Sequence, residues 1–268
     1  MDNRPIGFFD SGLGGLTCIP HVMKSLPNER IVYFGDTART PYGSKAVHTI
    51  RNFSIQISDF LAQNDVKMIV IACNTVSATC LDVLRERHPE IPILGIISPA
   101  SKTIASTCDD TNNIGIIGTK ATIESEAYKN KIHKFNPTLN IYETACPALV
   151  PLIEEGIIQN EIMDLTIKYY LDHFISYNKI DTLVLGCTHY PLVKQNISKL
   201  YPEIRVVNPS AEMFTSINVT LNDMNLYADE PTAENIFYAS DLSENFISMI
   251  NRIFSDTGYT VAFKSFDI

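Results

Sequence analysis

Met68-Ile69-Val70-Ile71-Ala72-Cys73-Asn74-Thr75 and Thr182-Leu183-Val184-Leu185-Gly186-Cys187-Thr188-His189 follow one plan. Each is an apolar, β-branched run, then a cysteine, then short polar residues of the kind that open a helix. An apolar run without alternation reads as a strand buried on both faces, the usual condition of a parallel sheet. Two thiols at the carboxyl ends of equivalent strands place a sulfur on either side of whatever lies between them. That geometry suits a reaction that removes a proton from one face of a carbon and returns it to the other.

The flanking sequence extends the α/β pattern. Ile6 to Phe9 and Ile31 to Phe34 read as strands. Leu13, Leu16, Ile19, Val22, Met23 and Leu26 keep helical spacing, and Ile50, Ser54, Ile57, Phe60 and Leu61 mark a longer helix that Ser44 could cap. Ile93 to Ile97 reads as a strand ending at Ser98-Pro99. The order then restarts. Ile114 to Thr119 resembles Ile6 to Ser11, the strand before Cys187 resembles that before Cys73, and Arg205 to Pro209 resembles Ile96 to Pro99. We read two pseudo-symmetric α/β domains with mostly parallel sheets flanked by helices and the active site in the cleft between them. Residues 1–98 plus 210–268 form the first domain and 99–209 the second. After a linker-like stretch from Asn222 to Pro231, Asn235 to Ala239 and Tyr259 to Phe263 are expected as strands completing the first sheet. The helix between them carries Phe246, Met249, Ile250 and Ile253.

Composition narrows the chemistry. The chain has 268 residues and is 45% hydrophobic, enough for a real core in about two domains. Apolar runs reach about six residues, against the roughly 20 a membrane helix needs. No signal-peptide core precedes the first strand, so a soluble, cytoplasmic protein is expected. A net charge of −9 without a dense Lys/Arg cluster argues against nucleic acid. The cysteines (Cys18, Cys73, Cys80, Cys108, Cys146, Cys187) show no CxxC spacing, so no metal site and no thioredoxin-type pair is expected. Cys18, Cys80, Cys108 and Cys146 read as small buried hydrophobes.

In open parallel sheets ligands sit at the carboxyl ends of strands. Those ends carry Asp10-Ser11, Cys73-Asn74-Thr75, Thr119 and Cys187-Thr188-His189. Ser11, Asn74, Thr75, Thr119, Thr122 and Thr188 can hold carboxylates and an ammonium group through neutral hydrogen bonds. Asp10 near Cys73, and His189 two residues after Cys187, give each thiol its own acid–base helper. Read singly, Asp10 could merely cap a helix and His189 merely anchor a turn. In Arg39-Thr40-Pro41-Tyr42-Gly43-Ser44, Pro41 and Gly43 fix a loop, and Tyr42 and Ser44 can donate hydrogen bonds. Asp10-Ser11-Gly12-Leu13-Gly14-Gly15-Leu16 imitates a dinucleotide fingerprint, but Thr17 stands where the last glycine is required and Asp10 would face the pyrophosphate. No nucleotide cofactor is expected, and the glycines serve a tight turn and close approach of the backbone.

Taken together, these segments resemble the glutamate racemases of the cofactor-independent aspartate/glutamate racemase family. The matching stretches are Phe9 to Thr17, Tyr33 to Gly43, Ala72 to Thr75, Gly118-Thr119, Cys146-Pro147 with Val150 to Gly156, and Gly186 to Leu192. The resemblance implies interconversion of L- and D-glutamate without a cofactor, supplying D-glutamate for peptidoglycan synthesis and so for cell-wall biogenesis and cell shape. It implies Cys73 and Cys187 as the acid–base thiols, Asp10 and His189 as their helpers, and Glu154, rather than Glu155, as a further acid near the second thiol. Substrate contacts fall to Asp10, Ser11, Pro41, Tyr42, Gly43, Ser44, Asn74, Thr75, Thr188 and His189. Family members pair as homodimers in differing modes, so a homodimer is expected. Some relatives carry an N-terminal extension that answers to a peptidoglycan precursor; with Asp10 nine residues from the start, no such activator is expected. Val76 stands where the family favours a small residue, which could narrow the cleft or shift packing. The rival readings are a racemase for aspartate or another acidic amino acid, and a non-enzymatic binding protein on the same fold. The second predicts a degenerate site, and both thiols and both helpers are present.

Overall fold

The computed structural model describes residues 1–230, 234–254 and 258–266. Pro231, the end of the expected linker, lies outside them, as do residues 232–233, 255–257 and 267–268 of the expected first-domain return. The described strands are β1 (Ile6–Asp10), β2 (Ile31–Gly35), β3 (Met68–Ile71), β4 (Ile93–Gly95), β5 (Asn113–Gly118), β6 (Asn140–Ala145), β7 (Thr182–Gly186), β8 (Arg205–Val207), β9 (Asn235–Ala239) and β10 (Tyr259–Phe263). They form a six-stranded sheet in the order β10-β9-β2-β1-β3-β4 and a four-stranded sheet in the order β6-β5-β7-β8. Every described pairing is parallel. The order β2-β1-β3-β4 recurs as β6-β5-β7-β8, so the internal repeat seen in the sequence is a repeat of topology. β3 and β7 hold equivalent places, each beside the first strand of its unit.

Burial accounts for the strands that read as unbroken apolar runs, and the expected strands Asn235 to Ala239 and Tyr259 to Phe263 are present as β9 and β10 although they are more exposed. β1, β2, β3 and β7 are buried at every residue, because parallel strands in the middle of a sheet are covered by helices on both faces. β6 forms the edge of the second sheet and is half-buried or exposed throughout. Its sequence, Asn140-Ile141-Tyr142-Glu143-Thr144-Ala145, carries no apolar run, and the sequence reading placed no strand there. The expected strand from Ile93 to Ile97 is shorter than read: β4 stops at Gly95, and Ile97–Thr107 is a helix. The repeat therefore aligns β4 with β8, rather than Ile96 to Pro99 with Arg205 to Pro209. Ser44 does not cap the long helix. That helix is Val47–Gln63, with Ala46 at its N-cap, and Ser44 ends a short 3-10 turn from Tyr42.

One apolar cluster spans both sheets. Ile6, Phe8 and Val70 of the first sheet and Ile114, Ile116 and Val184 of the second belong to it, with Ala100 and Ile104 of the helix Ile97–Thr107 and Met213, Ile217 and Leu221 of the helix Ser210–Asp223. The chain thus crosses between its halves within packed helices. The stretch after Asp223 is also held: the Leu226 carbonyl accepts from the buried Lys67 ammonium at 2.7 Å, and the Ala228 N–H donates to Glu29 at 2.9 Å. No helix of the described residues is long and apolar enough to cross a membrane.

Candidate active site

Cys73 directly follows Ala72 beyond β3 and is the N-cap of the short helix Asn74–Thr79. Cys187 directly follows β7, and a 3-10 turn (Tyr190–Val193), not an α-helix, comes next, with Pro191 in its first turn. Because β3 and β7 occupy equivalent places in the two sheets, both thiols reach one small cavity. It is lined by Ser11, Thr40 to Gly43, Cys73 to Thr75, Thr119, Val150 and Cys187 to His189. All six cysteines are buried free thiols, so burial does not separate the two from the other four. Their place at the cavity does.

The surroundings of the two sulfurs differ. The Cys73 thiol donates to the Ser11 hydroxyl at 3.4 Å. Burial, reinforced by the neighbouring Asp10 charge, pushes its pKa up to about 12, which favours the protonated thiol. The Cys187 sulfur lies 3.9 Å from His189 Nδ1, and His189 Nε2 meets Glu154 Oε1 at 2.5 Å. Burial alone would depress the His189 pKa; its bonds to Cys187 and Glu154 outweigh burial and raise it well above the ordinary value. Sulfur, imidazolium and carboxylate therefore form a line on the second side of the cleft, with nothing equivalent on the first.

Asp10 lies behind the cavity wall. It is fully buried and accepts from the Gly12 N–H at 3.1 Å and from the Thr188 hydroxyl of the opposite half at 3.2 Å. Burial raises its pKa, against the pull of His189 and of hydrogen bonds from Gly15, Gly12 and Thr188. The hydroxyls of Thr75, Thr119 and Thr122 form a cluster at 2.9 to 3.3 Å that joins the two halves at the cavity floor. Two glycines make the closeness possible. A Cβ on Gly14 would stand 2.4 Å from Thr188 Oγ1, and one on Gly43 would stand 2.2 Å from Thr119 Cβ. These glycines are needed for close approach across the seam, not for a left-handed backbone.

The sequence profile of the Asp/Glu/Hydantoin racemases matches residues 17–216. The chain belongs to this racemase family. A glutamate racemase from Sulfurihydrogenibium sp. is 42% identical over 254 residues, covering 94% of both chains. One from Neisseria meningitidis is 42% identical over 255 residues, covering 95% of this chain and 94% of that one. Among solved structures, a Francisella tularensis glutamate racemase in complex with D-glutamate superposes with a TM-score of 0.91 at 38% identity, over 99% of this chain and 98% of that one. Membership makes the chain an isomerase.

Within this racemase fold, most of the sequence-predicted residues meet at the cavity, and some do not. Ser11, Pro41, Tyr42, Gly43, Cys73, Asn74, Thr75, Thr119, Cys187, Thr188 and His189 line it. Asp10, Thr122 and Glu154 stand one bond behind it. Ser44 is exposed and outside it. The Tyr42 hydroxyl is committed elsewhere: it donates to the buried Asp36 carboxylate, which also accepts from Arg39 and from Ser240 beyond β9. Tyr42 therefore offers the cleft its ring and backbone. Glu155, the weaker candidate, is exposed. Val76 is buried in the apolar cluster on the helix side of β3 and does not line the cavity. The sequence reading missed Thr40 and Val150 as lining residues. Both lie inside segments already singled out, beside Pro41 and within Val150 to Gly156, so proximity was the available signal.

Proposed function

We propose that this chain interconverts L- and D-glutamate by a two-base mechanism in which Cys73 and Cys187 exchange protons with opposite faces of the α-carbon. The observation that carries this reading is the convergence of the two thiols, from equivalent strand ends, on one small cavity. Glutamate is favoured over aspartate by the 42% identity to named glutamate racemases and by a close structural neighbour that holds D-glutamate.

One cysteine, as thiolate, takes the α-proton while the other, as thiol, delivers a proton to the opposite face. The carbanion between them has no electron sink. Hydrogen bonds aimed at the α-carboxylate as it gains enediolate character are the main stabilising term, and Ser11, Asn74, Thr75 and Thr119 are the donors at hand. Neutral donors bind the carboxylates without adding a further cation to that of His189, which Glu154 matches. Since burial and the Asp10 charge hold Cys73 as a thiol, the substrate ammonium favours a thiolate there by placing a positive charge beside it. On the other side the His189 imidazolium, held by Glu154, supplies and retrieves the proton of Cys187. The two half-reactions are chemically unequal, although the enantiomers are equal in free energy.

We further infer that residues 1–98 with 210–268, and 99–209, act as the two domains that hold substrate between them. We also infer that the enzyme needs no cofactor or metal, works in the cytoplasm as a homodimer, and supplies D-glutamate for peptidoglycan. The test is the circular-dichroism signal of L-glutamate with pure protein, no added cofactor, and EDTA present. The signal should decay to zero, and in heavy water the early D-product should carry deuterium at Cα. A signal that persists, or that decays faster with L-aspartate than with L-glutamate, defeats the substrate reading. Unlabelled early product defeats thiols as solvent-exchanged proton donors.

A further inference from the structure

Asn74 lines the cavity and is buried, yet its side-chain Nδ2 has no hydrogen-bond partner within the protein. A buried amide N–H without an acceptor is costly and uncommon. The other end of the same carboxamide is fully engaged: the Tyr128 hydroxyl donates to Asn74 Oδ1 at 2.6 Å. The phenol gives its one proton to the amide oxygen, so Oδ1 faces Tyr128 and Nδ2 is left without a protein partner.

The two residues come from different halves. Asn74 opens the helix after β3, whereas Tyr128 lies in the helix Ala127–Phe135, which follows β5. Tyr128 is 0% exposed and does not line the cavity. The adjoining Thr75 hydroxyl is tied to the same half through Thr119 at 2.9 Å.

We propose that Tyr128 is a positioning residue: it reaches across the seam between the halves to turn the Asn74 carboxamide so that its N–H groups face a carboxylate of the bound amino acid. This rests on the reading of the cleft as an amino-acid racemase site. It ties donor orientation to the assembled cleft, because the Asn74 amide is aimed only when the second half is in place.

A double-mutant cycle with L-glutamate tests this, using Tyr128→Phe, Asn74→Ala and the double variant. Assays are run at a temperature where all four proteins are folded by circular dichroism. Tyr128→Phe keeps the buried ring and removes one hydrogen bond, which corresponds to about a 3- to 10-fold loss in kcat/KM, expressed mainly in KM. Asn74→Ala should lose at least as much. In the Asn74→Ala background, Tyr128→Phe should cost less than about 1.5-fold, because the group it orients is gone. Full activity in Tyr128→Phe, or an equal loss in both backgrounds, overturns the positioning role while leaving the racemase reading intact. Parent-like kcat/KM in Asn74→Ala overturns the substrate contact and the proposal with it. Failure of the parent protein to racemise glutamate is the separate outcome that defeats the underlying reading.

Discussion

Replacing Glu154 by Gln keeps the shape of the side chain but puts a neutral amide where the His189 imidazolium meets a carboxylate at 2.5 Å. In the parent, burial pushes the His189 pKa down and the bonds to Cys187 and Glu154 push it up further. Removing the Glu154 charge takes away one of the groups that oppose burial, so the pKa falls. A hydrogen bond to a charged group contributes about 1.5–3 kcal/mol, and about 1.36 kcal/mol corresponds to one pH unit. The Glu154 side chain is 21% exposed, which places the loss toward the lower end of that range. The sign for stability follows. A histidine whose folded pKa is raised contributes stability that is complete below its unfolded pKa, about 6.5, and is lost as pH rises through the folded value. The parent should therefore exceed the variant in stability most clearly near pH 6, with the gap closing in alkali. The direct assay is an NMR titration of the His189 ring protons, assigned by comparison with His189→Asn. For catalysis, equal free energies of the enantiomers force kcat/KM to be the same in both directions, so both must fall together, by about 10-fold at pH 8. The individual kcat values are free to diverge, because only one side of the cleft has lost its proton relay. A His189 titration in Glu154→Gln that stays in place or moves upward refutes the claim that Glu154 holds the imidazolium protonated.

Cys73→Ser and Cys187→Ser should each reduce racemisation by at least about 10²-fold with melting temperatures close to the parent; near-parent turnover in either variant sinks the two-base scheme. Gly43→Ala would put a Cβ 2.2 Å from Thr119 Cβ and push the halves apart. Since a misplacement of about 1 Å can cost about 10²-fold, kcat/KM should drop on that order, and unchanged steady-state kinetics would show that the seam tolerates the extra methyl. Lys67 and Glu29 form an ion pair at 2.5 Å with side chains 0% and 2% exposed. Lys67→Met would strand the carboxylate and should cost about 3–5 kcal/mol in urea unfolding, whereas a loss below about 1 kcal/mol would mean that the site rearranges to hydrate Glu29.

Legibility in the sequence tracked burial and contiguity. β1, β2, β3, β5 and β7 were readable because central parallel strands are covered on both faces and so write themselves as unbroken apolar runs. β6 was not, because Asn140, Glu143 and Thr144 break up its apolar residues; exposure alone does not hide a strand, since the edge strand β10 was readable at Tyr259 to Phe263. The end of β4 was misread because Ile96 and Ile97 look the same to a pattern whether they extend a strand or start a helix. At the site, the residues flanking the two cysteines were legible from their position after strands. Tyr128 was not, since nothing within the helix Ala127–Phe135 marks a tyrosine whose partner lies 54 positions away. Tyr42 was half right: its place at the cleft follows from the loop, but the Asp36 carboxylate that occupies its hydroxyl arrives through β2 and the chain beyond β9.

By itself the sequence determined that the chain is an α/β protein built on a repeated unit, with a cysteine at the carboxyl end of one strand in each half. Those are local facts, set by periodicity and by which residues follow an apolar run. The tertiary structure alone decided that the two thiols share one cavity, that one faces a serine hydroxyl while the other faces a histidine held by a carboxylate, and that glycines let the halves touch. Such pairings depend on burial and on contacts between residues far apart in the chain. Environment rather than identity makes two identical cysteines unequal, because desolvation and neighbouring charge set the cost of a thiolate, and neither exists until the halves meet.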